Sequence, residues 1–351
     1  MKKYGVLVVD DSSFMRKYIS LIIEKDPQFS VIGIARNGVD AIEKIQRLKP
    51  DIVTMDVEMP EMDGITALKE IMKTNPVPIV MLSNYTEEGA ETTIKALELG
   101  AVDFFLKSEL TKEDAKEETA TEFLNKLKAI AENAKIPFKE IKIPTENIIK
   151  SLENKITVRN NLVDLVIIGC STGGPIALQS ILPFFPNDIR VPIIVLQHMP
   201  PGFTKSLAER FDAMCNLHVK EAEDGEILEA GNIYIAPAGF QTLLYKNIDG
   251  KITLKIEDYH DDKILYKPSV DITLSSAAPI YKDRLLAVIL TGMGNDGLEG
   301  CKAVKKYNGR VIVEAEESCV VYGMPKAVFE AGLADIQVPL SGIYQQIMFY
   351  I

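Results

Sequence analysis

Five chemically reactive side chains in the N-terminal part of the chain follow apolar runs: Asp10, Asp11, Asp56, Ser83 and Lys107. Carboxylates brought together repel one another unless a cation neutralises them, and a few carboxylates with room for water suit Mg²⁺. A metal beside a carboxylate nucleophile and a lysine is suited to phosphoryl transfer, where catalysis depends mainly on charge neutralisation and positioning. A single aspartate at a strand end more often only caps a helix, but five such positions together favour a phosphoryl-transfer site.

A serine in a glycine-rich turn marks a second candidate site. The segment Gly169-Cys170-Ser171-Thr172-Gly173-Gly174 follows an apolar run and precedes a helical pattern. It fits G-x-S-x-G, which exposes a serine on a sharp strand-to-helix turn, although glycine loops after strands also bind phosphates. A serine nucleophile needs a base, and His198 ends an apolar run, whereas His218 and His260 lie in polar stretches. Asp296 follows a third run and could orient the imidazole of His198.

Spacing alone leaves two other chemistries open in this part of the chain. Gly292-x-Gly294-x-x-Gly297 follows an apolar run, with Glu314 coming 22 residues after Gly292, and this matches a dinucleotide-binding fingerprint. The carboxylate of Asp296 inside that loop would repel a pyrophosphate. Cys170 offers a thiol next to Ser171. The order serine, histidine, aspartate also differs from that of the α/β-hydrolases, which disfavours their fold.

The apolar runs predict the elements that must position these side chains. In the first part they lie at Gly5–Val9, Val31–Ala35, Ile52–Met55, Pro78–Leu82 and Ala101–Leu106. Amphipathic stretches of helical spacing separate them, which predicts a five-stranded parallel sheet covered on both faces, with its site at the carboxyl ends of the strands. One more amphipathic helix is predicted by the apolar spacing of residues 123–134. Residues 135–160, rich in Lys, Asn and Glu, are predicted to be a linker.

The alternation restarts after residue 161. Strands are predicted at Leu165–Ile168, Val191–Gln197, Asn232–Ala236, Leu286–Thr291 and Arg310–Glu314. Asp249-Gly250 lies between two further short runs and predicts a β-hairpin. These patterns predict a second, mostly parallel, doubly wound α/β domain that contains a hairpin.

Composition narrows the class of protein. The length of 351 residues suggests two domains. With 39 Lys and Arg against 50 Asp and Glu, the net charge is −11, which argues against nucleic-acid binding and attachment to anionic lipid. Four scattered cysteines and three histidines disfavour structural zinc and a disulfide framework. No stretch approaches the roughly 20 apolar residues that cross a bilayer, so we expect a soluble cytoplasmic protein.

Residues 1–134 resemble the receiver domain of response regulators. The resemblance rests on Val8-Val9-Asp10-Asp11-Ser12, on the segment from Met55 to Gly64, and on Lys107. It implies a flavodoxin-like receiver fold with Asp56 as the phosphoacceptor. It also implies a Mg²⁺ site formed by Asp10, Asp11, Asp56 and the backbone carbonyl of Glu58.

The same resemblance implies roles for residues around the phosphoryl group. Ser83 and Lys107 would contact that group, and Phe104 would be the switch aromatic. The family usually has a proline after the lysine, where this chain has Ser108. We therefore expect the loop after Lys107 to differ.

Residues 161–351 resemble the catalytic domain of the chemotaxis protein-glutamate methylesterase (CheB) family. The matching segments are 169–174, 197–204, 221–226, 234–237, 268–271, 290–297 and 318–325. The resemblance implies a domain without a cofactor, in which Ser171 is the nucleophile, His198 the general base and Asp296 its orienting partner. The backbone N–H of Met293 would help to form the oxyanion hole. This chain has Cys170 where alanine is commoner, and Tyr266-Lys267 where His-Arg is usual.

Together the two resemblances imply a phosphorylation-activated enzyme of chemotactic adaptation. It would remove methyl esters from glutamates of chemoreceptors and deamidate receptor glutamines, thereby resetting receptor signalling. A chemotaxis histidine kinase would phosphorylate Asp56 and relieve a block that the receiver places on the catalytic cleft. No nucleic-acid partner and no membrane insertion are expected. Two other classes stay open: a phosphorylation-gated adaptor with a degenerate catalytic domain, and a transcription regulator, which the absence of a helix-turn-helix pattern disfavours.

Overall fold

The computed structural model describes residues 3–84, 87–111, 116–133, 162–258 and 265–351. The chain forms two compact units, residues 1–139 and 140–351. The predicted linker 135–160 lies outside the described residues, as does His260. The domain boundaries at 134 and 161 therefore stay predictions.

The first unit is built on a parallel sheet whose strand order is β2-β1-β3-β4-β5. The strands are β1 Tyr4–Val9, β2 Phe29–Ala35, β3 Ile52–Asp56, β4 Ile79–Ser83 and β5 Asp103–Leu106. The helices are α1 Ser13–Ile23, α2 Gly38–Leu48, α3 Gly64–Thr74, α4 Glu87–Glu98, α5 Lys107–Thr111 and α6 Lys116–Asn133. Strands β1, β3 and β4 are buried at every residue, as expected when helices cover both faces of a parallel sheet. The five predicted strands are confirmed within two residues at each end.

Polar side chains begin three of these helices soon after the preceding strand ends. Ser12, Asn37 and Asp63 each accept a hydrogen bond from a backbone N–H in the first turn of α1, α2 and α3, respectively. Such caps satisfy donors that a helix leaves unpaired at its start. These caps lie in the loops at the carboxyl ends of β1, β2 and β3, and the predicted reactive residues lie at the same edge of the sheet.

The second unit contains a seven-stranded parallel sheet and a separate two-stranded antiparallel hairpin. The sheet strands are β6 Leu165–Cys170, β7 Ile193–Gln197, β8 His218–Glu221, β9 Asn232–Ile235, β12 Leu285–Ile289, β13 Arg310–Glu314 and β14 Ile336–Val338. Their order is β14-β13-β12-β6-β7-β9-β8. The hairpin pairs β10 Gln241–Lys246 with β11 Ile252–Glu257, and it confirms the turn predicted from Asp249-Gly250.

The sequence did not predict the two edge strands, β8 and β14. Neither is an apolar run, because β8 is exposed or half-buried at three of its four residues and β14 is half-buried throughout. His218 therefore begins a strand instead of lying in an irregular stretch. Its exposed imidazole pairs with Asp212 at 2.9 Å.

Helices cover the second sheet and enclose its core. They are α7 Gly174–Gln179, α8 Phe203–Asp212, α9 Val270–Tyr281, α10 Leu298–Lys306, α11 Met324–Glu330 and α12 Leu340–Tyr350. Fully buried side chains of β6, β12 and β13, such as Ile167, Ala287 and Val313, form one core cluster with Leu274 of α9 and Val304 of α10. Within the described residues, no helix is both long and apolar enough to span a membrane.

The strand order places a topological switch point in the middle of this sheet. From β6 the chain continues to β7 on one side, and it later returns to β12 on the other side. Ligands of open α/β sheets bind at the carboxyl ends of the strands at such a point. The serine, histidine and aspartate predicted from the sequence follow β6, β7 and β12.

Candidate active site and phosphorylation site

Ser171 is the first residue after β6, and its backbone is held from two sides. Its N–H donates to the carbonyl of Thr291 at 3.0 Å. Its own carbonyl accepts from Gln197 Nε2 at 3.0 Å and from the N–H of Gly174 at 2.7 Å. These contacts connect the turn to both neighbouring strands, so the serine is held at the switch point of the sheet.

His198 follows β7, next to Ser171 in the sheet. Cys170 and Gln197, which precede the two residues, are paired in register, and the N–H of His198 donates to Cys170 O at 3.0 Å. The imidazole Nε2 lies 2.8 Å from Asp296 Oδ2. Because an ionised carboxylate can only accept, Nε2 donates in this contact, and in the neutral imidazole the lone pair is then on Nδ1. Nδ1 is buried and has no hydrogen-bond partner among the described residues.

Asp296 is buried. It precedes α10 in the chain, and its carboxylate lies against the N-terminus of α9. It accepts hydrogen bonds from the N–H groups of Val270 at 2.7 Å and Asp271 at 3.0 Å, and from Ser269 Oγ at 3.0 Å. Burial by itself would raise its pKa, but the contacts with His198 and with these amides hold the pKa of Asp296 below its ordinary value. The carboxylate thus stays ionised and can stabilise a positive charge on the imidazole.

Asp271, in the first turn of α9, makes the corresponding contact with the start of α10. Its Oδ1 accepts from the N–H of Gly297 at 2.9 Å and of Gly300 at 2.7 Å, at the start of α10. Burial raises the pKa of Asp271 to about 6, and the charge of Asp296 acts in the same direction. Asp296, just before α10, thus binds the first backbone N–H groups of α9, and Asp271 of α9 binds N–H groups at the start of α10. These reciprocal hydrogen bonds fix the position of Asp296.

The loop after β12 lies beside the serine. A Cβ placed on Gly292 would lie 2.8 Å from the Cβ of Ser171, so only a glycine allows this approach. Met293 follows and is half-buried. Backbone N–H groups near a nucleophile can bind the charge that develops in acyl transfer, and the oxyanion role of the Met293 N–H stays a prediction.

Glu314 supports this loop from inside the sheet. Its carboxylate accepts from the N–H of Thr291 at 2.8 Å and from Ser318 Oγ at 2.9 Å, and the side chain is fully buried. Burial raises the pKa of Glu314 to about 7. A carboxylate enclosed in this way is not available to a ribose, and Asp296 is committed to His198 and α9. The dinucleotide interpretation of the glycine motif therefore does not fit the structure.

Cys170 points into the core and not toward the site. It is fully buried, and its Sγ lies 3.1 Å from Gln197 Oε1. Burial raises the pKa of this thiol far above its ordinary range, so it does not form the reactive thiolate. Gln197 also donates to the carbonyl of His198 at 2.9 Å. No sequence pattern indicated this role of Gln197 beyond its place at the end of β7.

The predicted phosphoryl-transfer residues meet at the carboxyl edge of the first sheet. Lys107 Nζ lies 2.6 Å from Asp56 Oδ2 and 2.8 Å from Asp10 Oδ2. The ligand atoms of Asp10, Asp11 and Asp56 all lie within 4.8 Å of one another. This donor set fits a hard divalent cation such as Mg²⁺.

The electrostatics of this edge depend on burial. Burial raises the pKa of Asp56 to about 6, although the ammonium of Lys107 opposes the shift. Burial would lower the pKa of Lys107, but the carboxylates of Asp56 and Asp10 raise it overall. A cation at the cluster would favour the ionised form of Asp56, which is the form that can act as a nucleophile.

The other predicted residues lie in the loop after β3 and on strands β4 and β5. The Glu58 N–H donates to Asp56 Oδ1 at 3.3 Å. Ser83 is buried at the end of β4, 2.8 Å from Thr93 Oγ1 of α4, and Phe104 is buried on β5. Lys107 already belongs to helix α5, and a proline at position 108 would disfavour that conformation. Ser108 therefore permits the helix to begin at the lysine.

Comparison with known proteins identifies the family of each domain. The family model of the CheB methylesterase matches residues 166–347, and that of the response regulator receiver domain matches residues 6–119. The protein-glutamate methylesterase/protein-glutamine glutaminase of Thermotoga maritima is 46% identical over 98% of this chain and 97% of its own length. A protein of the same name from Oleidesulfovibrio alaskensis is 43% identical over 98% of both chains.

A solved structure supports the fold of the second unit. The crystal structure of the Thermotoga maritima CheB methylesterase catalytic domain is 48% identical, with a TM-score of 0.52, over 54% of this chain and 99% of that one. Both the fold and the match along nearly the whole sequence lead to one assignment. The chain belongs to the protein-glutamate methylesterase/protein-glutamine glutaminase family, with a receiver domain ahead of the CheB catalytic domain.

Proposed function

We propose that this chain hydrolyses methyl esters of glutamate side chains in chemoreceptors, and that phosphorylation of Asp56 raises this activity. The observation that carries the proposal is the pairing of His198 Nε2 with Asp296, which leaves a buried Nδ1 without a hydrogen-bond partner among the described residues, on a residue that follows the strand next to that of Ser171. The names of the relatives support the substrate class, since they are protein-glutamate methylesterases/protein-glutamine glutaminases.

The first half of the reaction forms an acyl-enzyme. Ser171 Oγ attacks the ester carbonyl carbon while its proton moves to His198 Nδ1. Asp296 stabilises the resulting imidazolium, and the N–H of Met293 donates to the developing oxyanion. The bond between the carbonyl carbon and the methoxy oxygen then breaks, and the proton on Nδ1 leaves with that oxygen as methanol.

The second half regenerates the serine. Water gives a proton to Nδ1 and attacks the acyl carbon, after which the bond to Ser171 Oγ breaks and that oxygen takes the proton back. The product is a free glutamate side chain. The same sequence of steps on a glutamine releases ammonia instead of methanol, which supports the second activity in the relatives' names.

The first unit would regulate this chemistry. Asp10, Asp11, Asp56 and the carbonyl of Glu58 would hold Mg²⁺, which neutralises the charge of a transferring phosphoryl group. The carboxylate of Asp56 would attack the phosphorus of a phosphohistidine on a histidine kinase, and the P–N bond would break so that the kinase imidazole leaves. Lys107 and Ser83 would contact the phosphoryl oxygens, and Phe104, buried on β5, would respond to the new position of Ser83.

We also place this activity in the cytoplasm, where a receptor's signalling region and a histidine kinase meet. Four free cysteines, three of them buried, are compatible with a reducing compartment. The catalytic chemistry proposed for Ser171 needs no bound cofactor. Receptor and kinase are the two protein partners that the proposal requires.

Release of methanol from methylated receptor cytoplasmic fragments tests the catalytic proposal. We expect Ser171→Ala to lower kcat at least about a thousandfold, as the loss of a serine nucleophile does in other serine hydrolases. Ser180→Ala is the matched control, because Ser180 caps the end of α7 and, among the described residues, its hydroxyl contacts only the carbonyl of Ile176, to which it donates. A Ser171→Ala protein with the wild-type rate would exclude the serine mechanism.

A further inference from the structure

Tyr266 lies face to face with the imidazole of His198. The ring centroids are 4.3 Å apart and the two planes differ by only 4°. The tyrosine precedes α9 and is half-buried, and its carbonyl accepts from Gln241 Nε2 at 2.7 Å. It is also one of the residues at which the sequence departs from the usual pattern of the catalytic domain.

The stack restricts a motion that the other contacts of His198 leave open. Asp296 holds the ring at one atom, Nε2, and a ring held at one atom can tilt about that hydrogen bond. A parallel aromatic ring in contact removes this freedom. The direction of Nδ1, the atom that must take the proton of Ser171, is then fixed.

The stack also favours the charged form of the imidazole. A cation over the face of a tyrosine is attracted by the negative charge density of the ring. His198 becomes an imidazolium only while Ser171 or water is attacking the acyl carbon. A contact that strengthens in the transition state raises kcat and leaves substrate binding unchanged.

The hydroxyl end of Tyr266 reaches the loop that follows β12. A Cβ placed on Gly294 would lie 2.8 Å from the tyrosine Oη, so the phenol lies against the residue that follows Met293. Gly294 has a φ of +85°, which together with this contact favours glycine. One side chain therefore packs against both the base and the loop of the predicted oxyanion donor.

We propose that Tyr266 is a positioning residue for the hydrolysis, acting through the face of its ring on His198. The inference rests on the proposed function, because it assigns His198 the role of general base. According to this inference, the face of the Tyr266 ring, and not its hydroxyl, raises kcat. An aromatic replacement should therefore preserve catalysis, whereas an aliphatic replacement of similar size should not.

Steady-state methanol release by the full chain separates these alternatives. We expect Tyr266→Leu to lower kcat about tenfold, the fold-change expected of a partly desolvated cation–π contact, with KM unchanged within about twofold. Tyr266→Phe and Tyr266→Trp should keep kcat within about threefold. Tyr245→Leu, the same substitution at a half-exposed tyrosine of β10, is the matched control and should change neither constant.

Histidine-selective NMR provides a second measurement that does not depend on activity. The chain has three histidines, and the ring current of Tyr266 should shift the imidazole protons of His198 upfield in the wild type and in Tyr266→Phe. The shift should be lost in Tyr266→Leu and in Tyr266→Met, the second aliphatic variant. Identical His198 resonances in wild type and both aliphatic variants would contradict the stacking of Tyr266 on His198 and would overturn the inference.

The outcomes also separate this inference from the proposed function. If Ser171→Ala abolishes methanol release but Tyr266→Leu retains the wild-type kcat, only the role of Tyr266 is wrong. If Tyr266→Phe loses as much activity as Tyr266→Leu, the hydroxyl and not the ring face is responsible, and the inference fails. If the wild type releases no methanol, or does so without Ser171, the proposed function itself fails.

Discussion

At the scale of single residues, Cys170 and Ser171 are neighbours with different environments. The thiol faces the core beside Gln197 and has a raised pKa because of burial, whereas the serine lies at the carboxyl edge of the sheet. We predict that Cys170→Ala retains kcat for methanol release within about threefold. The substitution removes only the sulfur and should lower the free energy of unfolding by about 1 kcal/mol.

Methanol release and urea unfolding of the same variant test this prediction. A hundredfold loss of kcat in a folded Cys170→Ala protein would contradict it, because an inert core thiol cannot account for such a loss. Thiol alkylation offers a control in the native state, since a thiol enclosed by β6 and β7 should not react. Rapid alkylation with loss of activity would likewise assign the chemistry to the cysteine.

Residue types and strand ends were enough to predict which side chains could meet. Ser171, His198 and Asp296 were each expected after an apolar run, and the structure brings them to one edge of the sheet. The sequence could not reveal which imidazole nitrogen faces Asp296, nor that Tyr266 stacks on His198. Both depend on side-chain orientation across distant segments, which no local pattern encodes.

At the scale of elements, Glu314 ties the end of β13 to the loop that follows β12. Its buried carboxylate accepts from the Thr291 N–H, and Thr291 O in turn accepts from the N–H of Ser171. The pKa of about 7 means that the folded state holds a proton that an unfolded chain, titrating near 4.5, releases earlier. Between these values stability therefore falls as pH rises, and it levels off above pH 7.

We predict that Glu314→Gln removes this pH dependence. Glutamine stays neutral and its carbonyl can still accept from Thr291. From pH 5 to pH 8 the variant should gain on the order of 2 to 3 kcal/mol relative to wild type, since one pKa unit corresponds to about 1.4 kcal/mol. Urea unfolding of the full chain at both pH values measures this difference.

Glu317→Gln is the matched control for that experiment, because Glu317 is exposed in the loop that follows β13. It should leave the pH dependence of the wild type unchanged. The first unit is the same in all three proteins, so its unfolding cancels in the comparison. Equal pH dependence in wild type and Glu314→Gln would mean that Glu314 is ionised in the folded protein throughout this range.

The elements themselves were predictable where burial leaves an apolar run. The central strands β1, β3, β6 and β12 are buried at every residue, and all four were expected. The edge strands β8 and β14 include polar residues and are only partly buried, so periodicity could not separate them from loops. A strand can thus be predicted from its sequence pattern when it lies in the centre of the sheet, and less readily when it lies at an edge.

At the scale of the whole molecule, the chain combines two parallel sheets that each place charged side chains at a carboxyl edge. In the first unit, Asp56 is paired with Lys107 and clustered with Asp10 and Asp11. In the second unit, Ser171 and His198 occupy the switch point. The family match covers both units in one relative, which supports a single enzyme whose two sites act together.

Because the two sites lie in different units, we predict that variants can separate stimulation by phosphorylation from the hydrolysis itself. A small phosphodonor with Mg²⁺ should raise methanol release by wild type several-fold, since phosphorylation acts through a two-state element of the receiver. Asp56→Asn should keep the unstimulated rate and lose the stimulation, because an amide cannot accept the phosphoryl group. Removal of Mg²⁺ by EDTA should have the same effect on wild type, because the cation serves the cluster around Asp56 and not the serine.

Comparing wild type, Ser171→Ala and Asp56→Asn separates loss of catalysis from loss of stimulation. Ser171→Ala should be inactive with or without the phosphodonor, whereas Asp56→Asn should be active and unresponsive. If the phosphodonor accelerates Asp56→Asn as much as wild type, another residue accepts the phosphoryl group or the donor acts directly on the catalytic unit. If EDTA abolishes even the unstimulated rate, hydrolysis depends on a metal, and a mechanism that relies on Ser171, His198 and Asp296 alone is incomplete.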